Sequence, residues 1–169
     1  MHEAWIGRDG ARFELRPIEA GDLPLLMASV RRLSFRTRYF RYGRGTFQPS
    51  DDELRRMCSP DPEYAVHLLV LHSSNGPPSV VGSGRLVYEP GQKTSELTLM
   101  VSDSWQRRGV GRRLLDHLIE AARRKGHEEI LARILVTNQP MLALVQRRGF
   151  TIADSDAGPA VKEARLLLL

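Results

Sequence analysis

Between Ser95 and Lys125 a strand-like run, a turn holding two glycines and a long amphipathic stretch follow one another. Gly109 to Lys125 places Val110, Leu114, Leu115, Leu118, Ile119, Ala121 and Ala122 on one helical stripe, and Gly126 ends it. A strand feeding such a helix through a glycine turn points to a mixed α/β fold. The junction also has a chemical reading. Amide N–H groups at a helix start are unpaired, and the helix dipole there favours an anion. Arg107, Arg108, Arg112 and Arg113 add charge around Gly109-Val110-Gly111, which suits a pyrophosphate. Glycines at strand–helix junctions also serve as plain turn formers, so the spacing alone leaves both readings open. The turn is no P-loop, because Gly-Lys-Ser/Thr is missing, and it lacks the third glycine of the dinucleotide fingerprint.

The rest of the chain supplies the partners of this unit. Phe13 and Leu15 alternate with Arg12, Glu14 and Arg16, a half-buried strand ended by Pro17. Asp22 to Leu33 has helical spacing, with Asp22 as its cap and Pro24 in the first turn. Residues 34–48 read as a basic, aromatic loop, and Ser50-Asp51-Asp52-Glu53 as a capped helix start that runs to Pro60. Ala65–Leu71, Val80–Val87 and Ser95–Val101 form an antiparallel meander, in which Gly82 and Gly84 mark a bulge or a close backbone approach. A strand over Glu129–Val136, a short helix over Pro140–Arg148 and a strand from Phe150 to Ala153 follow. Arg165–Leu169 is either a closing strand or a packed tail. The expectation is one domain over residues 1–169.

Of 169 residues, 41% are apolar and 27% charged, the balance of a globular chain. No run approaches the roughly 18 apolar residues of a membrane span, and the N-terminus lacks a secretory pattern, so a cytoplasmic protein without a membrane partner is expected. The net charge is +5, and only Lys93, Lys125 and Lys162 are lysines among 25 basic residues. Such a charge admits a nucleic-acid partner, but no reader motif accompanies it. Cys58 is the only cysteine, which excludes an internal disulfide and a thiolate cluster. As a nucleophile it lacks a sequence-fixed base. The five histidines show no ligand spacing, and no metal is expected.

Gln106-Arg107-Arg108-Gly109-Val110-Gly111 resembles the Q/R-x-x-G-x-G/A signature of the GCN5-related N-acetyltransferases (GNAT family). The order of elements is similar, and so is Asn138 followed by Met141–Phe150, which ends in Gly149-Phe150. The resemblance covers about residues 12–151. Leu33–Tyr42 and Asn138–Leu142 further resemble the acetyltransferase domain of bacterial Pat-type protein lysine acetyltransferases. It implies a central mixed, twisted sheet with an antiparallel N-terminal meander, a splayed parallel strand pair and flanking helices. It also implies acetyl-CoA as the donor, bound by Met100, Val101 and Ser102 along the pantetheine. Arg107, Arg108, Gly109, Val110, Gly111, Arg112 and Arg113 would surround the pyrophosphate, and Asn138 would meet the cofactor arm.

An acceptor amine must lose a proton, since a lysine ammonium near pKa 10.4 has no free lone pair. Glu96 is the candidate base, at the position where many family members carry a catalytic glutamate. Strand alternation puts it on one face with Thr98, Met100 and Ser102. Its structural alternative is a solvated strand-end carboxylate. The tyrosine that many relatives use to protonate the leaving thiolate is replaced by Val145, so no general acid is assigned; Tyr39, Tyr42, Ser102 and solvent remain open. Residues 23–50 hold Arg31, Arg32, Arg36, Arg38, Arg41 and Arg44 with no acidic residue, either flanking a substrate or tying a loop to the core. Their charge favours an acidic-surfaced protein or acidic small molecule over a free polyamine. The expected activity is acetyl transfer to a primary amine, a protein lysine first and a small-molecule amine second, with a non-catalytic acyl-CoA sensor as the rival and a monomer or homodimer as the assembly.

Overall fold

Two apolar surfaces of one sheet organise the chain. A computed structural model describes residues 1–169. Its elements are β1 (Glu3–Ile6), β2 (Arg12–Pro17), α1 (Leu23–Arg31), α2 (Phe35–Tyr42), α3 (Asp51–Met57), β3 (Ala65–Ser73), β4 (Ser79–Val87), β5 (Thr94–Val101), α4 (Val110–Arg124), β6 (Glu129–Leu135), α5 (Gln139–Gln146), β7 (Thr151–Asp154) and β8 (Val161–Leu167). Short 3-10 turns at Ala20–Asp22 and Asp103–Trp105 precede α1 and follow β5. The strand order is β1-β2-β3-β4-β5-β6-β8-β7. All neighbours are antiparallel except β5 and β6, which are parallel. No helix is long and apolar enough to cross a membrane.

The parallel pair is splayed, as expected. Pairing runs only from Thr94↔Glu129 to Glu96↔Leu131. Beyond that point β5 follows β4 to Val101, while β6 follows β8 to Leu135. Glu96 therefore stands at the apex of a gap between strands.

The apolar stripe of α4 covers one face, where Val110, Leu114, Leu115 and Leu118 pack with Val81, Leu86, Leu97 and Ile130. Gly82 and Gly84 make this contact possible. A Cβ on Gly82 would lie 2.7 Å from Val110 Cγ1, and one on Gly84 would lie 2.7 Å from Leu118 Cδ1. The β3–β4 register also shifts between Val70 and Leu71, so the bulge and the close approach are both present. On the opposite face α1 and α3 place Leu26, Val30, Leu54 and Cys58 against Leu69, Leu71 and Val80. Cys58 is buried there, and burial pushes its thiol pKa up, the reverse of nucleophile activation.

Three expectations need correction. Residues 34–48 are not simply a loop, because Phe35–Tyr42 forms α2. Ser34 caps it by accepting from Thr37 N (3.1 Å), and Gly43 closes it at φ 73°. Asp22 occupies the N-cap position of α1, but its side chain makes no capping bond there. Its carboxylate turns to Arg16, which donates from Nη1 and Nη2 at 2.7 Å each, and it also accepts from Glu19 N at 2.7 Å. Third, β8 begins at Val161 rather than Arg165 and lies between β6 and β7. One strand lies outside every element expected from the sequence: β1 pairs with β2 and stacks Trp5 on Phe13 at 5.1 Å between centroids.

A buried histidine ties the second face together. His67 Nδ1 donates to Met57 O (3.1 Å), which leaves Nε2 to accept from Ser83 Oγ (2.7 Å). Burial lowers its pKa from 6.5 to about 4. Below pH 6.5 the unfolded chain binds a proton that the native protein refuses, so stability falls between pH 6.5 and about 4. Urea midpoints across this window are expected to reveal a loss of about 3 kcal/mol that His67→Gln removes.

Candidate active site

The turn between β5 and α4 is anchored by aromatic and carboxylate contacts. Trp105 meets Phe13 edge-on at 5.5 Å and His72 at 4.3 Å. Asp103 accepts from Ser34 N (3.3 Å), Ser34 Oγ (3.0 Å) and Thr37 Oγ1 (2.5 Å), which docks the start of α2 beside the turn. Burial opposes ionisation of Asp103, but the Thr37 and Ser34 hydrogen bonds prevail and lower its pKa.

From this anchor the backbone bends sharply. Arg107 has φ 60°, the only non-glycine in the chain with positive φ, and Gly109 has φ 83°. The first helical bond of α4 is Arg113 N to Gly109 O at 3.1 Å, and no side chain caps the helix. The amides of Gly109, Val110, Gly111 and Arg112 thus have no partner within the chain, an arrangement able to meet an anion. Gly109→Ala is expected to cost about 1–2 kcal/mol through the left-handed backbone. Thermal melting checks it.

The four arginines at this turn divide into pairs. Arg108 is bound to Asp9 and lies 4.9 Å over Trp105. Arg113 is bound to Glu3 and lies 4.4 Å over Trp5, with His117 Nε2 on the same carboxylate at 2.8 Å. Arg107 and Arg112 are exposed and without a carboxylate partner. The charge free to meet an anion is theirs, and Arg108 and Arg113 act first as struts.

Along the gap, peptide groups alternate in direction. Ser102 N donates to Val81 O at 2.9 Å, so Ser83↔Met100 and Arg85↔Thr98 are the hydrogen-bonded pairs of this ladder. Leu97, Leu99 and Val101 consequently turn their peptide groups toward the gap. Of the three residues assigned to the pantetheine only Val101 does so, and its carbonyl accepts from Gln106 Nε2 at 3.1 Å. Gly111 sits beside this rail: a Cβ there would meet Leu144 at 3.4 Å, Val101 at 3.5 Å and Leu99 at 3.7 Å. Asn138 follows β6 across the gap. Its Oδ1 caps α5 by accepting from Met141 N (3.3 Å), which leaves its NH₂ group free. Val145 is fully buried in the core and presents nothing to the gap.

Glu96, Thr98 and Met100 face away from α4, on the side where α2 packs against β5. The Glu96 carboxylate is half-exposed, and Oε2 lies 2.9 Å from Arg133 Nη1. Arg133 also approaches Glu163 at 3.9 Å, so it bridges β5 to β8 across the gap. Sequence spacing could not reveal this partner, which is 37 residues away and joined through the parallel pair.

The arginines of residues 23–50 also separate. Arg38 is structural, donating to Leu33 O (3.0 Å), Phe47 O (3.3 Å), Val30 O (2.9 Å) and Arg31 O (3.1 Å). Arg31, Arg32, Arg36 and Arg44 are exposed, and Arg41 turns inward under α2. Two surface clefts, of about 460 Å³ beside His117 and 390 Å³ beside Tyr88, include no residue of the gap.

Residues 28–150 match the family model described as the acetyltransferase (GNAT) family. The chain belongs to the GNAT acetyltransferase family. It is 29% identical over 157 residues to Acetyltransferase Pat of Mycolicibacterium smegmatis, covering 92% of this chain and 46% of that protein. The chain thus spans about half the length of that relative. An acetyltransferase of Pseudomonas aeruginosa is 26% identical over 142 residues, or 84% of this chain and 76% of its own length. In fold, this GNAT chain is similar to the GNAT domain of S. lividans PAT, with TM-score 0.86, 23% identity and coverage of 99% and 97%. It is also similar to RimL, a ribosomal-protein alpha-N-acetyltransferase in complex with coenzyme A, with TM-score 0.74, 19% identity and coverage of 92% and 94%.

Proposed function

We propose that this GNAT protein transfers the acetyl group of acetyl-CoA to a primary amine by direct attack within the gap between β5 and β6. The observation that carries this reading is the junction of that gap with the unpaired N-terminus of α4. One polar groove then offers amides for a pyrophosphate and strand-like peptide groups for an amide-bearing arm.

The residues present fit that donor. Amides 109–112 with Arg107 and Arg112 receive the pyrophosphate, and Leu99 and Val101 pair with the pantetheine amides. The Asn138 NH₂ group meets the arm from the β6 side. The missing side chain of Gly111 leaves room among Leu144, Val101 and Leu99. When bound, acetyl-CoA supplies an activated thioester carbonyl. Glu96 Oε1, the oxygen not held by Arg133, takes the proton of the acceptor ammonium. The amine nitrogen then bonds to the carbonyl carbon, the C–S bond breaks, the nitrogen releases its second proton to water as the amide forms, and water returns a proton to the thiolate, because Val145 offers none.

A protein lysine is the first acceptor class, supported by the relative named Pat and by the basic α2 side of the sheet. A small-molecule amine is the second. The buried Val145 favours one further reading, an acyl-CoA sensor, which binds the donor without releasing thiol. Calorimetric titration tests the donor site. Wild-type protein is expected to bind acetyl-CoA, and Gly111→Glu to weaken binding at least about 100-fold by placing bulk and charge among amides 109–112. Absence of any heat or thermal shift with the wild-type protein contradicts the proposal.

A further inference from the structure

Arg41 and Arg85 bring positive charge to the acceptor side of the sheet with no carboxylate to meet it. Arg85 extends from β4, directly across from Thr98 and one diagonal step from Glu96 on the same face, a Cβ separation of roughly 7–8 Å. Arg41 comes from the last turn of α2, with its guanidinium 4.9 Å from the Tyr42 ring centroid. Both side chains are half-buried and neither makes an ion pair or a hydrogen bond within the chain. Arg85 Nε is shut off from solvent and has no partner at all.

Nearby acids are already committed. Glu53 accepts from Ser50 N at 2.7 Å, Asp22 holds Arg16 at 2.7 Å, and Glu96 holds Arg133 at 2.9 Å. Arg38, one turn earlier on α2, shows the contrast, since its guanidinium is satisfied by four carbonyls. Burial lowers the pKa of both open arginines, and the charge of Arg41 lowers that of Arg85 further. Two guanidinium groups that repel each other in a partly dry site are destabilising unless an anion lies between them. Tyr42 adds a hydroxyl that burial keeps neutral and that donates to nothing in the chain.

We infer that Arg41 and Arg85 bind a carboxylate carried by the acceptor, one strand diagonal from Glu96. This rests on the acetyl-transfer reading and narrows its acceptor to an amine bearing a nearby carboxylate. The planar fork of arginine matches a carboxylate with two parallel hydrogen bonds, which fixes orientation as well as affinity. The carboxylate has two sources: a free amino-acid-like molecule, or an acidic residue beside a lysine in a peptide. Held there, it points the amine toward the apex of the gap.

Matched acceptors test the inference. Thiol release from acetyl-CoA is followed with lysine against lysinamide, and with an acetylated Glu-Lys peptide against its Gln-Lys counterpart. The wild-type protein is expected to favour the carboxylate member of one pair by about 10- to 100-fold in kcat/KM, and the pair that shows it identifies the source. In Arg85→Met and in Arg41→Met the preference falls to within a few-fold, and Arg85→Lys recovers part of it. A second readout needs no transfer: glutarate, against chloride of equal ionic strength, raises the melting temperature of wild-type protein and not of either methionine variant. The methionine variants themselves melt at or above the wild type, because they lose no ion pair or hydrogen bond and methionine in place of Arg41 keeps the apolar contact with Tyr42. Transfer without preference, with no glutarate effect, overturns the carboxylate site and leaves the transfer reading standing. A selective glutarate effect with no thiol release from any acceptor supports the anion site and overturns acetyl transfer. An Arg85→Met protein that melts well below the wild type overturns the inference too, by showing a structural arginine.

Discussion

Glu96→Gln is expected to lower turnover about 10²- to 10⁴-fold at neutral pH while changing acetyl-CoA affinity by no more than a few-fold. At pH 7 roughly one lysine amine in a few thousand is neutral, so a group that removes the proton within the complex governs the rate. Glu96 is the carboxylate at the apex, where pairing of β5 with β6 stops. Glutamine keeps the shape and a hydrogen-bonding oxygen but accepts no proton. The donor contacts proposed at residues 99, 101 and 107–112 lie along the rail and the turn, so affinity for acetyl-CoA is spared. Arg133 holds Oε2 and so orients the proposed base. Arg133→Met is accordingly expected to lower kcat several-fold while leaving acetyl-CoA affinity within a few-fold, a split that a purely structural arginine does not produce. Unchanged turnover in Glu96→Gln, with a folded protein and wild-type donor affinity, removes Glu96 from the role.

Asp22→Ala is expected to cost about 3–5 kcal/mol, the range for breaking one side of a buried ion pair. The Asp22 side chain is 6% exposed and that of Arg16 is 16% exposed, so the stranded guanidinium is poorly solvated. The carboxylate also holds the Glu19 amide, and α1 begins at the next residue. Loss therefore reaches Leu26 and Val30 in the second apolar cluster. Hydrogen bonding to Arg16 lowers the Asp22 pKa despite burial, which acts the other way. Stability from this pair is thus present above the ordinary carboxylate value and lost as pH falls through the lowered native one. The His67 loss begins earlier, from pH 6.5 downward, so the two steps separate on a pH–stability curve. Urea unfolding at pH 7 measures the variant; a loss under about 1 kcal/mol, the size of an exposed pair, contradicts this assignment.

Where structure is local, the sequence displays it. The stripe of α4, the turn at Gly109 and the alternation of β5 each arise within a few residues, so period and turn chemistry suffice. The α2 segment carries no such local signal, because its support is distant. Three arginines and four aromatics make no apolar stripe, and the helix is secured by Ser34, Thr37 and Asp103, residues almost 70 positions apart. Strand β1 escaped for the same reason, since Glu3 and Trp5 find Arg113 more than a hundred residues later. The arginine cluster was legible as charge but not as roles. Only the fold shows that Arg38 braces carbonyls, Arg108 and Arg113 brace carboxylates, and Arg41 and Arg85 make no hydrogen bond or ion pair. Position in the fold, more than the net charge of +5, decides what each guanidinium does.

Central to this account is acetyl transfer at the apex of the β5–β6 gap. The most direct measurement is the rate of free-thiol appearance from acetyl-CoA with the full chain, with and without amine acceptors, free and peptide-borne. Thiol release that requires both protein and acceptor, tracks acetylated product one for one and falls at least about 100-fold in Glu96→Gln is the expected result. Saturable acetyl-CoA binding with no acceptor-dependent thiol from any amine would contradict it and leave a protein that binds the donor without transfer.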